Sequence, residues 1–297
     1  MGDASFLFTQ FFGGLTTAMF LFLIASGLSL VFGVLRVLNF AHGSFYMLGA
    51  YLAWQGVQWL SPVLGNFWLA ALMAALVIAV LGGLVERLLL RHMYGKDELY
   101  QLLLTYALVL ILGDSAKAIW GTQQLSVSRP AILDGGIEIL GGILPVYNIF
   151  IMWAGAVIAV GGWLILARSA AGRMVRAAAL DREMLGALGA NVGALYTGVF
   201  MASSFLAGLS GALVTPIESI VPGMDVEVIV EAFIVVVIGG LGSVTGTAWA
   251  AVAVGLLQQF VNYYVSGLGD VCVVALLAAV LLVRPQGLAG LTGGAVA

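Results

Sequence analysis

The sequence predicts an all-α bundle of transmembrane helices, polytopic, with eight or nine spans and with helices interrupted by glycine. Three observations lead there. Of 297 residues, 62% are hydrophobic and only 8% charged, against about 25% charged in an average soluble domain, so the chain cannot cover its own surface in water. Uncharged runs recur at the roughly 20-residue length that a hydrocarbon core of about 30 Å demands. One run is far too long for a single crossing and carries a cluster of glycines inside it.

Taken in order, Ala4–Leu35 reads as the first span and Val37–Val85 as two, parted by the turn-like Ser61-Pro62 and Gly65-Asn66. Tyr100–Trp120 is the fourth, interrupted by Asp114 and Lys117, Ile139–Ala167 the fifth and Val192–Val214 the sixth. Ala232–Gly269 gives 38 consecutive residues without charge. As one straight helix they would run about 57 Å at 1.5 Å per residue. The chain must break there, and Gly239, Gly240, Gly242, Ser243 and Gly246 mark the place, because glycine weakens a helix and turns freely. Val271–Val283 is the last span. The count is nine if residues 228–243 cross fully and eight if they form a half-helix. The whole chain reads as one membrane domain.

Basic residues set the orientation. Arg36, Arg87, Arg91, Lys96, Arg168, Arg173, Arg176, Arg182 and Arg284 all fall in alternate connections, whereas the opposite ones hold only Lys117 and Arg129. Residues 215–231 carry Glu218, Asp225, Glu227 and Glu231 with no Lys or Arg. The N-terminus is therefore expected outside and, with nine crossings, the C-terminus inside.

Several classes are disfavoured. The net charge is −3, and no basic stripe exists to neutralise nucleic-acid phosphates. No basic residue precedes the first apolar run, so no cleaved signal is expected. The single cysteine, Cys272, lies in an apolar run and reads as a small buried hydrophobe. The two histidines are fifty positions apart and predicted at different depths, which argues against a metal site. Lys96 and Lys117, the only lysines, lack the glycines of a phosphate loop. No nucleophile has a nearby base, so the chain is expected not to be an enzyme. Asp114, Glu86 and Glu231 fall near span ends and read as structural; Asp114 and Lys117 are spaced to pair.

Candidate pathway residues come from two places. Asn39, His42, Gly43 and Ser44 interrupt an apolar stretch in which unpartnered polar groups would each cost several kcal/mol in lipid. They should face protein or a watery cavity. His42 reads first as a packing residue bonded to a backbone carbonyl and second as a substrate contact. Asn39 reads first as the cap of a helix beginning near Phe40 and second as a donor to a substrate carboxylate. Gly239, Gly240, Gly242 and Ser243 form the other element, and Gly-interrupted segments in roughly corresponding halves point to transporter sites.

Residues 168–191 form the longest polar connection on the basic side. Ala177–Ala179, Leu180, Met184, Leu185 and Leu188 suit a short amphipathic helix ending at Gly189 or Asn191. Arg173, Arg176, Asp181, Arg182 and Glu183 give it both signs of charge. A solvated loop accounts for the charges alone; a helix that docks a cytoplasmic partner accounts for its apolar residues as well.

With these residues placed, the chain resembles branched-chain amino-acid ABC importer permeases of the LivH type over nearly its full length. The likeness rests on Gly33–Tyr51 (GVLRVLNFAHGSFYMLGAY), Gly172–Glu183 (GRMVRAAALDRE) and Ala232–Ser243 (AFIVVVIGGLGS), with Arg284–Leu288 near the end. It implies an inner-membrane subunit that pairs with a second, related permease. Two cytoplasmic ATP-binding subunits would hold the ATP and Mg, leaving this chain no cofactor of its own, and a periplasmic substrate-binding protein would deliver the cargo. It further implies that residues 173–189 couple to the ATPases, although Arg176 and Leu180 depart from the Glu-Ala-Ala…Gly coupling motif. Branched-chain amino acids are the expected substrates. Urea, or another small amino or aromatic acid, is the alternative within the family, and an ion-coupled secondary carrier is the rival class.

Overall fold

A computed structural model of the chain describes residues 3–60, 67–139 and 141–289. Among the described residues there are nine long helices: α1 (Asp3–Leu35), α2 (Ala41–Leu60), α3 (Phe67–Leu88), α4 (Glu98–Trp120), α5 (Val146–Arg168), α8 (Val192–Val214), α9 (Met224–Gly239), α10 (Val244–Tyr264) and α11 (Leu268–Val283). Two short ones, α6 (Ala170–Leu180) and α7 (Arg182–Ala187), lie between α5 and α8. The expected turn at Ser61–Asn66 falls outside the described residues.

The chain is an all-α polytopic membrane protein. Among the described residues, six helices are both long and apolar enough to cross a membrane: α1, α3, α4, α5, α8 and α10. The other long helices are α2, with 20 residues, and α9 and α11, with 16 each, or about 24 Å for the latter two. The six stand below the eight or nine expected, because length and apolarity together are a stricter test than absence of charge. Large apolar side chains such as Leu76, Val80, Leu103, Leu110, Trp153 and Val160 are exposed along α3, α4 and α5, the surface a membrane helix presents to lipid or to another subunit.

The fifth span starts later than expected. Residues from Gly136 form an antiparallel hairpin, β1 (Gly136–Ile139) and β2 (Gly142–Pro145), with Gly136 opposite Pro145. Gly141 adopts a φ of 78° in its turn, and Pro145 precedes α5, so the apolar run there is first strand and then helix. This is the one sheet among the described residues, a small departure from an all-α fold.

The core sits where α1, α2, α8 and α9 meet, and includes Ile24, Leu28, Phe45, Phe200 and Val235. Close approach of backbones shapes it: a Cβ on Gly43 would run into the Asp225 carbonyl and the Ile229 side chain of α9. Between α9 and α10, Gly240 and Gly242 take φ of 101° and 84°, which a residue with a side chain rarely adopts. Ser243 then caps α10 by accepting from Gly246 N–H at 3.1 Å. Past α11, the tail folds back on this break: Leu288 N–H and Ala289 N–H donate to the carbonyls of Ile238 and Gly239 at 2.8 and 3.0 Å.

Candidate functional site

Arg36, Lys96, Arg176 and Arg182 line neighbouring cavities at the C-terminal end of α1, and Glu218 and Glu231 of the acidic segment line another alongside its N-terminal half. Both candidate pathway elements can be placed against this frame. His42 is fully buried on α2, its Nε2 2.9 Å from the Ile24 carbonyl of α1, and Nδ1 is 3.5 Å from Ser203 Oγ on α8. Ser203 Oγ donates to Gly27 O at 2.8 Å. The arrangement matches the packing role weighed for this histidine. Ser44 donates to Asp225 Oδ2 at 2.9 Å, and both are buried.

Asn39 departs from its first reading. The backbone of α2 starts with His42 N–H on Asn39 O at 3.3 Å, yet the Asn39 side chain caps nothing. It is 1% exposed, and neither amide atom has a partner among the described residues.

The glycine element lies elsewhere. Gly242 lies against Gly33 of α1, where an added Cβ would come 2.9 Å from the neighbouring Cα. Gly242 also lines a cavity of about 500 Å³ at the basic end, with Phe32, Trp163, Ala179 and Leu180. Gly239 packs on the first turn of α10. Of the eight pathway candidates, only Gly242 reaches the wall of one of these four cavities among the described residues.

Residues 170–187 form two helices rather than one. Asp181 ends α6, and its side chain accepts from Glu183 N–H and Met184 N–H at 2.9 Å, starting α7. Gly189, with φ 86°, closes α7, and Asn191 caps α8 through Ala194 N–H instead. Arg176 turns inward, donating to the Leu166 and Ala167 carbonyls, and Arg173 donates to Arg168 O at 3.3 Å. These guanidiniums satisfy the C-terminal carbonyls of α5, the favourable end for a cation. Arg182 and Glu183 remain exposed. So do the apolar side chains of Leu180 (63%), Met184 (59%) and Leu188 (78%), with Leu185 as the buried anchor.

The acidic residues divide into paired and open ones. Glu86, fully buried, accepts from Tyr94 OH at 2.8 Å and Thr197 Oγ1 at 2.6 Å. Burial first, then this hydrogen bond and the Glu86 charge, raise the Tyr94 phenol well above its ordinary pKa, keeping it a donor. Asp114 and Lys117 form the expected exposed pair at 3.1 Å. Glu218 and Glu231, however, line a cavity of about 250 Å³ in the acidic half, together with Thr16, Tyr46, Asn148 and Gln259. Tyr46 and Asn148 were not singled out in the sequence. The only signal for this group was the run of acids without Lys or Arg at 215–231. Among the described residues no group of three or more His, Cys, Asp or Glu side chains is arranged to hold a metal ion.

A multi-pass helical bundle with buried polar side chains and cavities towards both ends is an architecture open to membrane transport. The family model described as the permease component of the branched-chain amino acid transport system matches residues 10–283, and the chain belongs to that family. It is 28% identical over 293 residues to the high-affinity branched-chain amino acid transport system permease protein BraD of Pseudomonas aeruginosa, covering 95% of each chain. It is 28% identical over 294 residues to LivH of Escherichia coli, covering 95% of this chain and 94% of that one. A probable LivH permease of Methanocaldococcus jannaschii is 25% identical over 295 residues, 94% and 91% covered. No solved structure matches.

Proposed function

We propose that this chain is the membrane-spanning permease subunit of an ABC importer and forms half of the translocation pathway for branched-chain amino acids. The observation that carries this is a family match running through nearly all the helices, residues 10–283, alongside relatives named for high-affinity branched-chain amino acid transport. The importer would sit in the inner membrane, with a second related permease, two ATP-binding subunits and a periplasmic binding protein. ATP and Mg belong to those partners, and hydrolysis with them; this chain is not an enzyme.

The whole chain acts as one permease domain with its N-terminus outside and nine crossings, so that the basic end faces the cytoplasm. At about 24 Å, α9 is short for a crossing, and its broken end at Gly239–Ser243 completes the span. Residues 168–191 form the coupling region. Leu180, Met184 and Leu188 supply its apolar contact and Arg182 and Glu183 its polar rim, while Arg173 and Arg176 hold the region to α5. Leu180 and Gly242 line the same cavity, which puts the coupling region and the bend on one space. In this reading Asn39, His42, Gly43 and Ser44 form a sealed joint along the path, and Gly239, Gly240, Gly242 and Ser243 the bend about which it opens.

The test is reconstitution. The assembled importer should take up leucine with ATP and binding protein, and this chain alone should not. Changing Leu180, Met184 and Leu188 to Asp together should reduce ATPase co-purification at least tenfold without altering the chain's thermal stability. Gradient-driven uptake by the chain alone would replace the importer reading with the secondary-carrier one.

A further inference from the structure

The coupling reading leaves the acid-lined cavity without a role. It is enclosed by α1, α2, α5, α9, α10 and the turn after α8, and no Lys or Arg lines it. Its volume is about 250 Å³, close to the lower end of small-molecule sites.

Its walls differ in chemistry. On one side stand Glu218 and Glu231. One Glu231 oxygen accepts from Gln258 Nε2 at 3.0 Å; the other has no partner among the described residues. Tyr46 is 3% exposed, makes no side-chain hydrogen bond to a described residue, and lies in the electrostatic field of Glu218, Glu231 and Glu227. The Tyr46 side chain is thus held in the core while its unpaired hydroxyl stays accessible on the cavity wall, free to bond what enters. Thr16 and Thr17 donate to the Phe12 and Gly13 carbonyls of their own helix at 2.9 and 3.4 Å. Their oxygens are therefore left as acceptors.

Asn148 contributes the complementary chemistry. It lies in the first turn of α5, where Pro145 provides no side-chain cap. Its amide also lacks a partner among the described residues, and helix N-termini favour negative charge. Between the polar groups the lining is aliphatic and aromatic: Phe20, Leu21, Ile24, Val214, Ile217 and Val228.

We infer that this cavity binds an aliphatic amino acid as its zwitterion, with the ammonium at Glu231, Glu218 and the threonine oxygens, the carboxylate at Asn148, and the side chain on the apolar wall. Tyr46 bridges the two polar ends. The inference rests on the permease reading and adds that the subunit itself recognises its cargo. Glu231 also lines a neighbouring cavity of about 420 Å³ with Glu227, Gln258 and Asp270, so the site has an acidic approach.

The test is equilibrium binding of radiolabelled L-leucine to the purified full-length chain in lipid nanodiscs. Saturable binding is expected. Isoamylamine, lacking the carboxylate, and 4-methylpentanoate, lacking the ammonium, should each compete at least tenfold more weakly than leucine. Glu231→Gln should weaken binding by on the order of tenfold and Tyr46→Phe by about threefold, each the scale of one lost polar contact. If Glu231→Gln does not fold, the two analogues on the unaltered chain decide the matter. Absence of saturable leucine binding, equal competition by 4-methylpentanoate, unchanged affinity in folded Glu231→Gln, or displacement of leucine by millimolar sodium or calcium would each overturn the site. Leucine uptake by the assembled importer separates the two conclusions: uptake without binding by this chain sinks the site alone, and no uptake sinks the permease reading.

Discussion

Ser44 and Tyr46 lie two residues apart on α2, about 200° around the helix, and both are buried. Ser44 turns to α9 and closes on Asp225, in a joint where Gly43 leaves no space and His42 holds α1. Tyr46 turns to a cavity, and its hydroxyl has no hydrogen-bond partner among the described residues. The contrast separates two reasons for polarity within a membrane. A polar group matched to its neighbours holds helices in register, and one left unmatched on a cavity wall can meet a partner that arrives from outside, whereas the Asn39 amide is unmatched and lines none of the described cavities. Burial alone does not distinguish them.

Substitutions can break or sharpen this contrast, and stability should rank them. Gly43→Val should be the most damaging, lowering thermal stability in detergent by about 3 kcal/mol through overpacking. If stability holds while uptake fails, Gly43 belongs to a path rather than to the joint. Ser44→Ala leaves the Asp225 carboxyl buried without its donor and should cost about 2 kcal/mol; an unchanged melting temperature would show that the pair contributes nothing. Asn39→Leu runs the other way. Its amide is buried and unmatched, so an apolar residue of similar size should raise stability by about 1 kcal/mol. A loss instead would reveal a partner that Asn39 holds. Tyr46→Phe should be nearly silent, within about 0.5 kcal/mol, and a larger drop would place Tyr46 in the joint beside Ser44.

The helices were legible because their cause is local. Span length and glycine at 239–242 can be read along the chain, whereas Asn191, read as an end of the preceding helix, caps α8 instead. The pairing of Asp114 with Lys117 was legible for the same reason, being three residues apart. The Asp225–Ser44 bond joins residues 181 positions apart, and no periodicity announces it. Arg173 and Arg176 looked like partner-facing charges because the sequence does not show that α6 doubles back on the end of α5. The second strand of the hairpin, Gly142–Pro145, was hidden inside an apolar run that suits strand and membrane helix equally. The acid-lined cavity was the least visible feature, since its walls come from six separate stretches that each contribute one or two unremarkable polar residues.

The fold-back of the tail has a consequence for biogenesis. The last carbonyls of α9 receive Leu288 and Ala289 as donors, and these are translated after α10 and α11. The bend near Gly240 is thus left unlatched until the downstream helices have been synthesised. A reporter or affinity tag inserted directly after Arg284 would be felt inside the molecule, at that bend, and not merely at its edge.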